Sequence, residues 1–213
     1  MYRNIYILVD SFKVCLFYTN QVVCCYYLSM LKVHTGPMFS GKTTGLLKDL
    51  NNALERGLKC VFVRPSTDER KFLTHDGKSL PKNKNLSVVL VDPRFHVSDI
   101  QWADFYAVDE VQFFAATEIV SSIKTLIGKG KEVSVSGLDL DALGEPFGCV
   151  PTLLCLAEEV IKHSGQCDNC NAGSSRTYCK VDLSYNNVYV GGNEEYQPKC
   201  LKCWSKLQSL KTG

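Results

Sequence analysis

Gly36-Pro37-Met38-Phe39-Ser40-Gly41-Lys42-Thr43 has the G-x-x-x-x-G-K-[ST] spacing of a loop that wraps the polyphosphate tail of a nucleotide. Its glycines let backbone N–H groups turn inward on phosphate oxygens, Lys42 supplies a mobile positive charge, and the Thr43 hydroxyl suits Mg²⁺. Further along, the apolar run Phe105-Tyr106-Ala107-Val108 ends in two carboxylates, Asp109 and Glu110. Asp109 stands where a phosphate-loop protein places its metal-side acid, which makes it the candidate for Mg²⁺. Adjacent side chains on an extended strand point to opposite faces, so Glu110 is left for a substrate unless the strand has already turned. Loop, cation and paired acids together favour phosphoryl transfer.

A second constellation is built of sulfur. Cys167-x-x-Cys170 and Cys200-x-x-Cys203 form a four-thiolate set, with Gly, Asn, Asp or Pro beside each pair, and read as a structural Zn²⁺ site. All four positions are sulfur, leaving no open coordination for water, so the metal is expected to act as a staple. The 29 residues between the pairs exceed what a compact ribbon needs, so a segment is looped out. Within it, the strand-like Val188-Tyr189-Val190 breaks at Gly191-Gly192. That break fits either a hinged lid over a small ligand or an ordinary surface hairpin.

These groups need a scaffold. Leu31–Thr35 reads as the strand entering the phosphate loop, and Thr44–Leu54 carries leucines at helical spacing leaving it. Lys59–Pro65, Ser87–Val91, Phe105–Asp109 and Glu132–Leu138 are further apolar runs of strand length. Ala115–Ile127 is a helix with Ile119, Ile123, Leu126 and Ile127 on one face, while the polar stretch Ser66–Asn85 reads as loop. Strands alternating with helices predict an α/β fold with a mainly parallel sheet flanked by helices. The character changes near Gly165, giving three regions: an atypical apolar extension over 1–30, a phosphate-loop domain over 31–163, and a small zinc-binding domain over 164–213.

Composition narrows the classes. At 213 residues with 45% hydrophobic content, one main core plus a small appendage is expected, and a formal charge of +2 does not point to a polyanion partner such as duplex DNA. Eleven cysteines, an odd number, fit a reducing, cytoplasmic setting better than a disulfide framework. The stretch from Val14 to Leu31 lacks charge and resembles a weak membrane span. However, Thr19, Asn20, Gln21 and Ser29 dilute it and it runs without linker into the first strand, so an extension outside the working domain is expected rather than an anchor. Tyr26, Tyr27 and Leu28 also stand where a signal peptide would need small residues.

Taken in order, the phosphate loop, Asp109-Glu110-Val111-Gln112-Phe113-Phe114, Pro146-Phe147-Gly148 and the cysteine pairs around Val190-Gly191-Gly192 resemble the type II thymidine kinases, the cytosolic enzymes of animals, bacteria and large DNA viruses. The resemblance runs from about Leu31 to Trp204. It implies a P-loop NTPase-like fold with a C-terminal zinc domain carrying a lasso loop. The implied reaction moves the γ-phosphoryl group of ATP to the 5′-hydroxyl of thymidine or deoxyuridine, in a homotetramer without nucleic-acid or membrane partners.

By the same resemblance Glu110 is the general base, and Gly36 through Thr43 with Asp109 and Gln112 hold ATP and Mg²⁺. Arg70 offsets charge on the transferring group and Asp68 stands near the reacting end of the substrate. Met38, Phe113 and Phe147 form an apolar wall around the base, with Val190, Gly191, Gly192 and Tyr196 in the lasso. Thr74-His75-Asp76 also matches a family segment, although a loop histidine without chemistry is the simpler reading. One departure matters: the family's Leu-Asp-x-x-Phe is here Leu138-Asp139-Leu140-Asp141-Ala142. A missing ring of this kind is worth about 1–3 kcal/mol of stacking and predicts weaker or broader nucleoside binding. Leu143 and Cys179 also stand where bacterial members tend to carry arginine. Three rivals share these residues: an ATPase coupled to a partner, a zinc-ribbon nucleic-acid-binding protein with a degenerate kinase site, and a kinase weakened at Ala142. Lys199, Lys202, Lys206 and Lys211 would serve the second, but Asp168, Glu194 and Glu195 interrupt them.

Overall fold

The structure is a computed structural model that describes residues 5–10, 13–18, 21–27, 30–67, 79–181 and 194–211, the first three stretches as strand backbone alone. At its centre is a six-stranded sheet of β4 (Leu31–Thr35), β5 (Cys60–Pro65), β6 (Leu86–Val91), β7 (Phe105–Val108), β8 (Glu132–Gly137) and β9 (Glu159–Lys162). The spatial order is β6-β5-β7-β8-β4-β9 and every neighbouring pair is parallel. Parallel strands need long crossovers, so helices α1 (Lys42–Glu55), α2 (Ala116–Gly128) and α3 (Val150–Leu156) link them over the sheet.

Residue alternation divides the core between the two faces. On β5, Cys60 and Phe62 pack with Leu46, Leu50 and Ala53 of α1, while Val61 and Val63 turn to the other side. There they meet Ile119, Ile123 and Leu126 of α2 and Leu153 of α3. The strands entering the site are therefore buried on both faces, which is why they read as unbroken apolar runs. Full burial of a side chain such as Leu50 contributes about 1.5–3 kcal/mol. At the far end of α1, Arg56 grips Glu132 at the start of β8 through two hydrogen bonds of 2.8 and 2.6 Å.

The C-terminal part is smaller: β10 (Arg176–Cys179) pairs antiparallel with β11 (Tyr196–Lys199), followed by α4 (Leu201–Lys211). Helix α4 docks back on the larger α/β body. Gln208 Nε2 donates to the Ala142 carbonyl at 2.9 Å, and the Trp204 ring lies so close to Gly144 that a Cβ there would stand 2.8 Å away.

The N-terminal run is strand rather than helix: β1 (Ile5–Asp10), β2 (Lys13–Tyr18) and β3 (Gln21–Tyr27) form an antiparallel meander with an irregularity between Leu16 and Phe17. No helix among the described residues is long and apolar enough to cross a membrane.

Candidate active site

The phosphate loop lies where β4 gives way to α1. Gly36 turns at φ 135° with its Cα against the His163 carbonyl oxygen, so a Cβ there would collide, and Gly41 turns at φ 88° immediately before the helix. Both are conformations that L side chains rarely hold. Phe39 adopts a left-handed φ of 62° as well, a local strain fixed by its surroundings. The Lys42 ammonium donates to the Pro37 carbonyl at 2.7 Å, which draws it across the loop. Ser40 Oγ is buried without a hydrogen-bond partner among the described residues. A buried hydroxyl in that state carries a desolvation penalty that a phosphate oxygen would relieve, so the loop fits the group its sequence implies.

Asp109 follows β7 directly and is fully buried. Thr43 Oγ1 reaches its carboxylate at 3.2 Å, and Ser136 of β8 donates a short hydrogen bond to the same oxygen. Two hard oxygen donors, a hydroxyl and a carboxylate, thus face each other at the end of the loop, a donor set suited to Mg²⁺. Ser136 escaped sequence reading; its signal was the hydroxyl alternation Ser134–Ser136 within an otherwise apolar buried strand.

The strand has turned by Glu110. This residue sits at φ 53° and opens a short 3-10 turn over Val111–Phe113, so Asp109 and Glu110 take different directions for a reason that strand alternation does not supply. Gln112 fixes the second acid. Its Oε1 accepts the Leu138 N–H at 3.1 Å, which sets the amide so that Nε2 donates to Glu110 Oε2 at 2.7 Å. Sequence reasoning put Gln112 on the ATP side, whereas its amide lies on Glu110. Backbone packs tightly around it: a Cβ on Gly148 would stand 2.6 Å from the Gln112 carbonyl oxygen, and one on Gly137 would stand 2.7 Å from Gln112 Oε1.

The same 3-10 turn presents Phe113, whose ring meets Phe147 edge to face at 5.8 Å and 88°. These two members of the expected apolar wall are together and Phe113 is exposed. Met38 packs, with Phe39, against the buried cluster of Tyr196, Cys179 and Ala142, and its N–H donates to Thr177 Oγ1 at 3.0 Å. Ala142 is itself buried in that cluster. Asp68, Arg70, Thr74, His75, Asp76, Val190, Gly191 and Gly192 lie outside the described residues.

The four cysteines converge. Sγ atoms of Cys167, Cys170, Cys200 and Cys203 all lie within 4.8 Å of one another, with Cys170 to Cys200 at 3.6 Å and Cys170 to Cys203 at 3.7 Å. Four sulfurs about 2.3 Å from a common tetrahedral centre stand roughly 3.8 Å apart, so the set fits a metal. The first pair lies in a turn as expected, but the second brackets the start of α4, with Cys203 inside the helix. Burial pushes the thiols of Cys149 and Cys60 up to about 12 and about 11, which keeps these two protonated and inert.

Comparison with known proteins agrees with this geometry. A family model described as thymidine kinase matches residues 29–204. Curated thymidine kinases from three strains of Mesomycoplasma hyopneumoniae, 7448, J and 232, are each 33% identical to this chain over 187 residues, covering 84% of this chain and 97% of the relative. With the phosphate loop, the acidic strand end and the thiol cluster in place over the matched span, the chain belongs to the thymidine kinase family.

Proposed function

We propose that the protein transfers the γ-phosphoryl group of ATP to the 5′-hydroxyl of thymidine, or of deoxyuridine, to give the monophosphate. The observation that carries this reading is the separation of two acids at the end of one strand. Asp109 is turned onto Thr43 at the phosphate loop, and Glu110 is turned away and held by Gln112.

Each residue then has a task. Backbone N–H groups of Gly36 through Thr43 cradle the triphosphate and Lys42 exchanges the Pro37 carbonyl for phosphate oxygens. Thr43 and Asp109 would hold Mg²⁺, which when bound supplies charge neutralisation at the phosphate oxygens. Phe113 and Phe147 offer an aromatic corner to the pyrimidine beside Glu110; Tyr196 and Val190–Gly192 are assigned to the base by family resemblance alone. Glu110 takes the proton of the 5′-hydroxyl as its oxygen bonds to the γ-phosphorus, while the bond from that phosphorus to the β-bridging oxygen breaks and its electron pair leaves with ADP. The proton returns to solvent after product release. Asp68 and Arg70 are assigned to the reacting end by family resemblance alone.

The four thiols are assigned to one structural Zn²⁺, which ties the Cys167–Cys170 turn to the start of α4. A cytoplasmic location is in keeping with a sequence of eleven cysteines, an odd number, and a homotetramer is the assembly that the family resemblance implies.

Incubation with ATP, Mg²⁺ and thymidine, with products identified by mass, tests the reading. Thymidine monophosphate is expected, and Glu110→Gln is expected to lower kcat by about 10²–10⁴ while ATP still binds. Absence of monophosphate refutes the activity. Full turnover by Glu110→Gln refutes the base assignment and leaves the activity standing.

A further inference from the structure

Beneath the phosphate loop runs a chain of hydrogen bonds that the transfer reaction does not use. His34, at the end of β4 and 2% exposed, joins Asp49 of α1 through Nε2 at 2.7 Å and His163 through Nδ1 at 2.9 Å. The two rings lie 5.2 Å apart and tilted by 35°. Asp49 also accepts Ser134 Oγ at 2.9 Å and Lys32 Nζ at 3.3 Å. His163 belongs to the loop's own wall: its N–H donates to the Thr35 carbonyl at 2.7 Å, and its carbonyl oxygen lies against Gly36.

The order of donors follows from the fixed end. Hydrogen bonds from His34 and Ser134 and the charge of Lys32 outweigh burial and hold the Asp49 carboxyl below its ordinary value, so it is an acceptor. His34 Nε2 therefore carries a hydrogen. Where His34 carries that hydrogen alone, its Nδ1 is bare and His163 Nε2–H donates to it at 2.9 Å. The remaining lone pair is on His163 Nδ1, which has no hydrogen-bond partner among the described residues. Gly45 makes the ring pair possible, since a Cβ there would stand 2.6 Å from His34 Nδ1 and 3.0 Å from His163 Cε1.

We propose that His163, positioned through His34 by Asp49, takes up a proton when a nucleoside triphosphate occupies the loop, so that nucleotide binding is coupled to pH. The inference rests on the ATP reading of the loop given above. The charged and titratable groups around His163 are His34 and Lys32 from β4, Asp49 from α1, Lys42 at the loop, and Glu159 of β9, which is paired with Lys32 at 3.0 Å. Burial first, then His34 and Lys42, hold His163 below its ordinary 6.5 in the free protein, against a smaller pull from Asp49. A triphosphate seated on Lys42 offsets the cationic contribution of that lysine, which raises the proton affinity of Nδ1. Solvent supplies the proton, and no bond other than N–H forms.

The sign follows directly. Between the free-state value and the higher bound-state value, only the complex is protonated, so binding tightens as pH falls. It becomes flat below the free-state value, where both states carry the proton. One proton bounds the effect at about tenfold in apparent Kd per pH unit.

Calorimetric titration of the full chain with ATP and Mg²⁺, in two buffers of different ionisation heat at about pH 6, reads the proton count. The native protein is expected to take up more protons per nucleotide than His163→Gln, the nucleotide's own titration cancelling in the difference. Gly45→Ala keeps every titrating group but splits the ring pair, and is expected to lower the count as well. Equal counts in the native protein and folded His163→Gln overturn the inference, since a packing role would move only the unfolding temperature. If His163→Gln does not fold, equal counts in Gly45→Ala do the same. ATP that binds without the proton difference sinks this inference alone, whereas failure of ATP to bind sinks the proposed function with it.

Discussion

Replacing Gly137 by alanine adds one methyl group at the end of β8, at a residue with no side chain of its own to touch substrate, and yet it should disable Glu110. The backbone at Gly137 is ordinary strand, so the effect is one of space. A Cβ there would lie 2.7 Å from both Gln112 Oε1 and Val111 Cγ1, against the 3.4 Å at which ordinary contact begins. That overlap is of the kind that costs about 1–3 kcal/mol in an overpacked core. The softest neighbour yields, and that is the end of the Gln112 side chain.

Once Oε1 leaves the Leu138 N–H, nothing sets the amide toward Glu110, and a hydrogen bond to a charged group worth about 1.5–3 kcal/mol is lost. If that bond serves to aim Glu110 in the transition state, kcat falls about ten- to a hundredfold. The KM for ATP should change little, because Lys42, Thr43 and Asp109 are untouched. The assay is a double-mutant cycle on kcat with Gly137→Ala, Gln112→Ala and the pair. Because both single changes remove the same support, their effects should not add. Additive losses, or native kcat in a folded Gly137→Ala, would refute the reasoning that Gln112 aims the acid.

Phe113→Ala should raise the KM for thymidine about five- to a hundredfold, the equivalent of roughly 1–3 kcal/mol of stacking, with the KM for ATP unchanged; equal shifts in both would remove Phe113 from the nucleoside side. Chelation under reducing conditions should release about one zinc per chain and lower the unfolding temperature, since the metal joins the Cys167–Cys170 turn to the start of α4; intact stability after complete metal removal would contradict the staple. Asp49 predicts an acid limb. Its carboxyl is depressed in the folded protein, so the stability it contributes is present above its ordinary 3.8 and is lost as pH falls through the folded value. Asp49→Asn should flatten that part of the stability curve, and an unchanged slope would show that the carboxylate is not held as described.

The sequence was most readable where one physical signal acts alone. Strands β4, β5, β7 and β8 are buried on both faces and announce themselves as apolar runs, and the leucines of α1 recur at helical spacing because one stripe faces the sheet. The edge strand β9 has four residues of alternating exposure and is held by pairing with β4, so its own composition says little. The same division holds at the site. The phosphate loop and Asp109 follow from spacing along the chain, and the four thiols from matched pairs. The left-handed turn at Glu110 and the grip of Gln112 on it depend on the space left by Gly137 and Gly148, which no local pattern encodes. The His34–Asp49–His163 chain draws on three distant segments, and each histidine taken alone reads as an ordinary loop or core residue. Ala142 lies in a buried cluster with Cys179 and Tyr196, contacts from separate segments that its own position along the chain does not announce.

The account rests on phosphoryl transfer from ATP to a sugar hydroxyl at Glu110. Its most direct measurement compares thymidine with 5′-deoxythymidine, which keeps the base and loses the acceptor oxygen, following ATP consumption and product mass together. Thymidine monophosphate formed mole for mole with ADP from the first substrate, and neither product from the second, is the predicted result. ADP released at the same rate from both would mark the protein as a hydrolase and contradict the role given to Glu110.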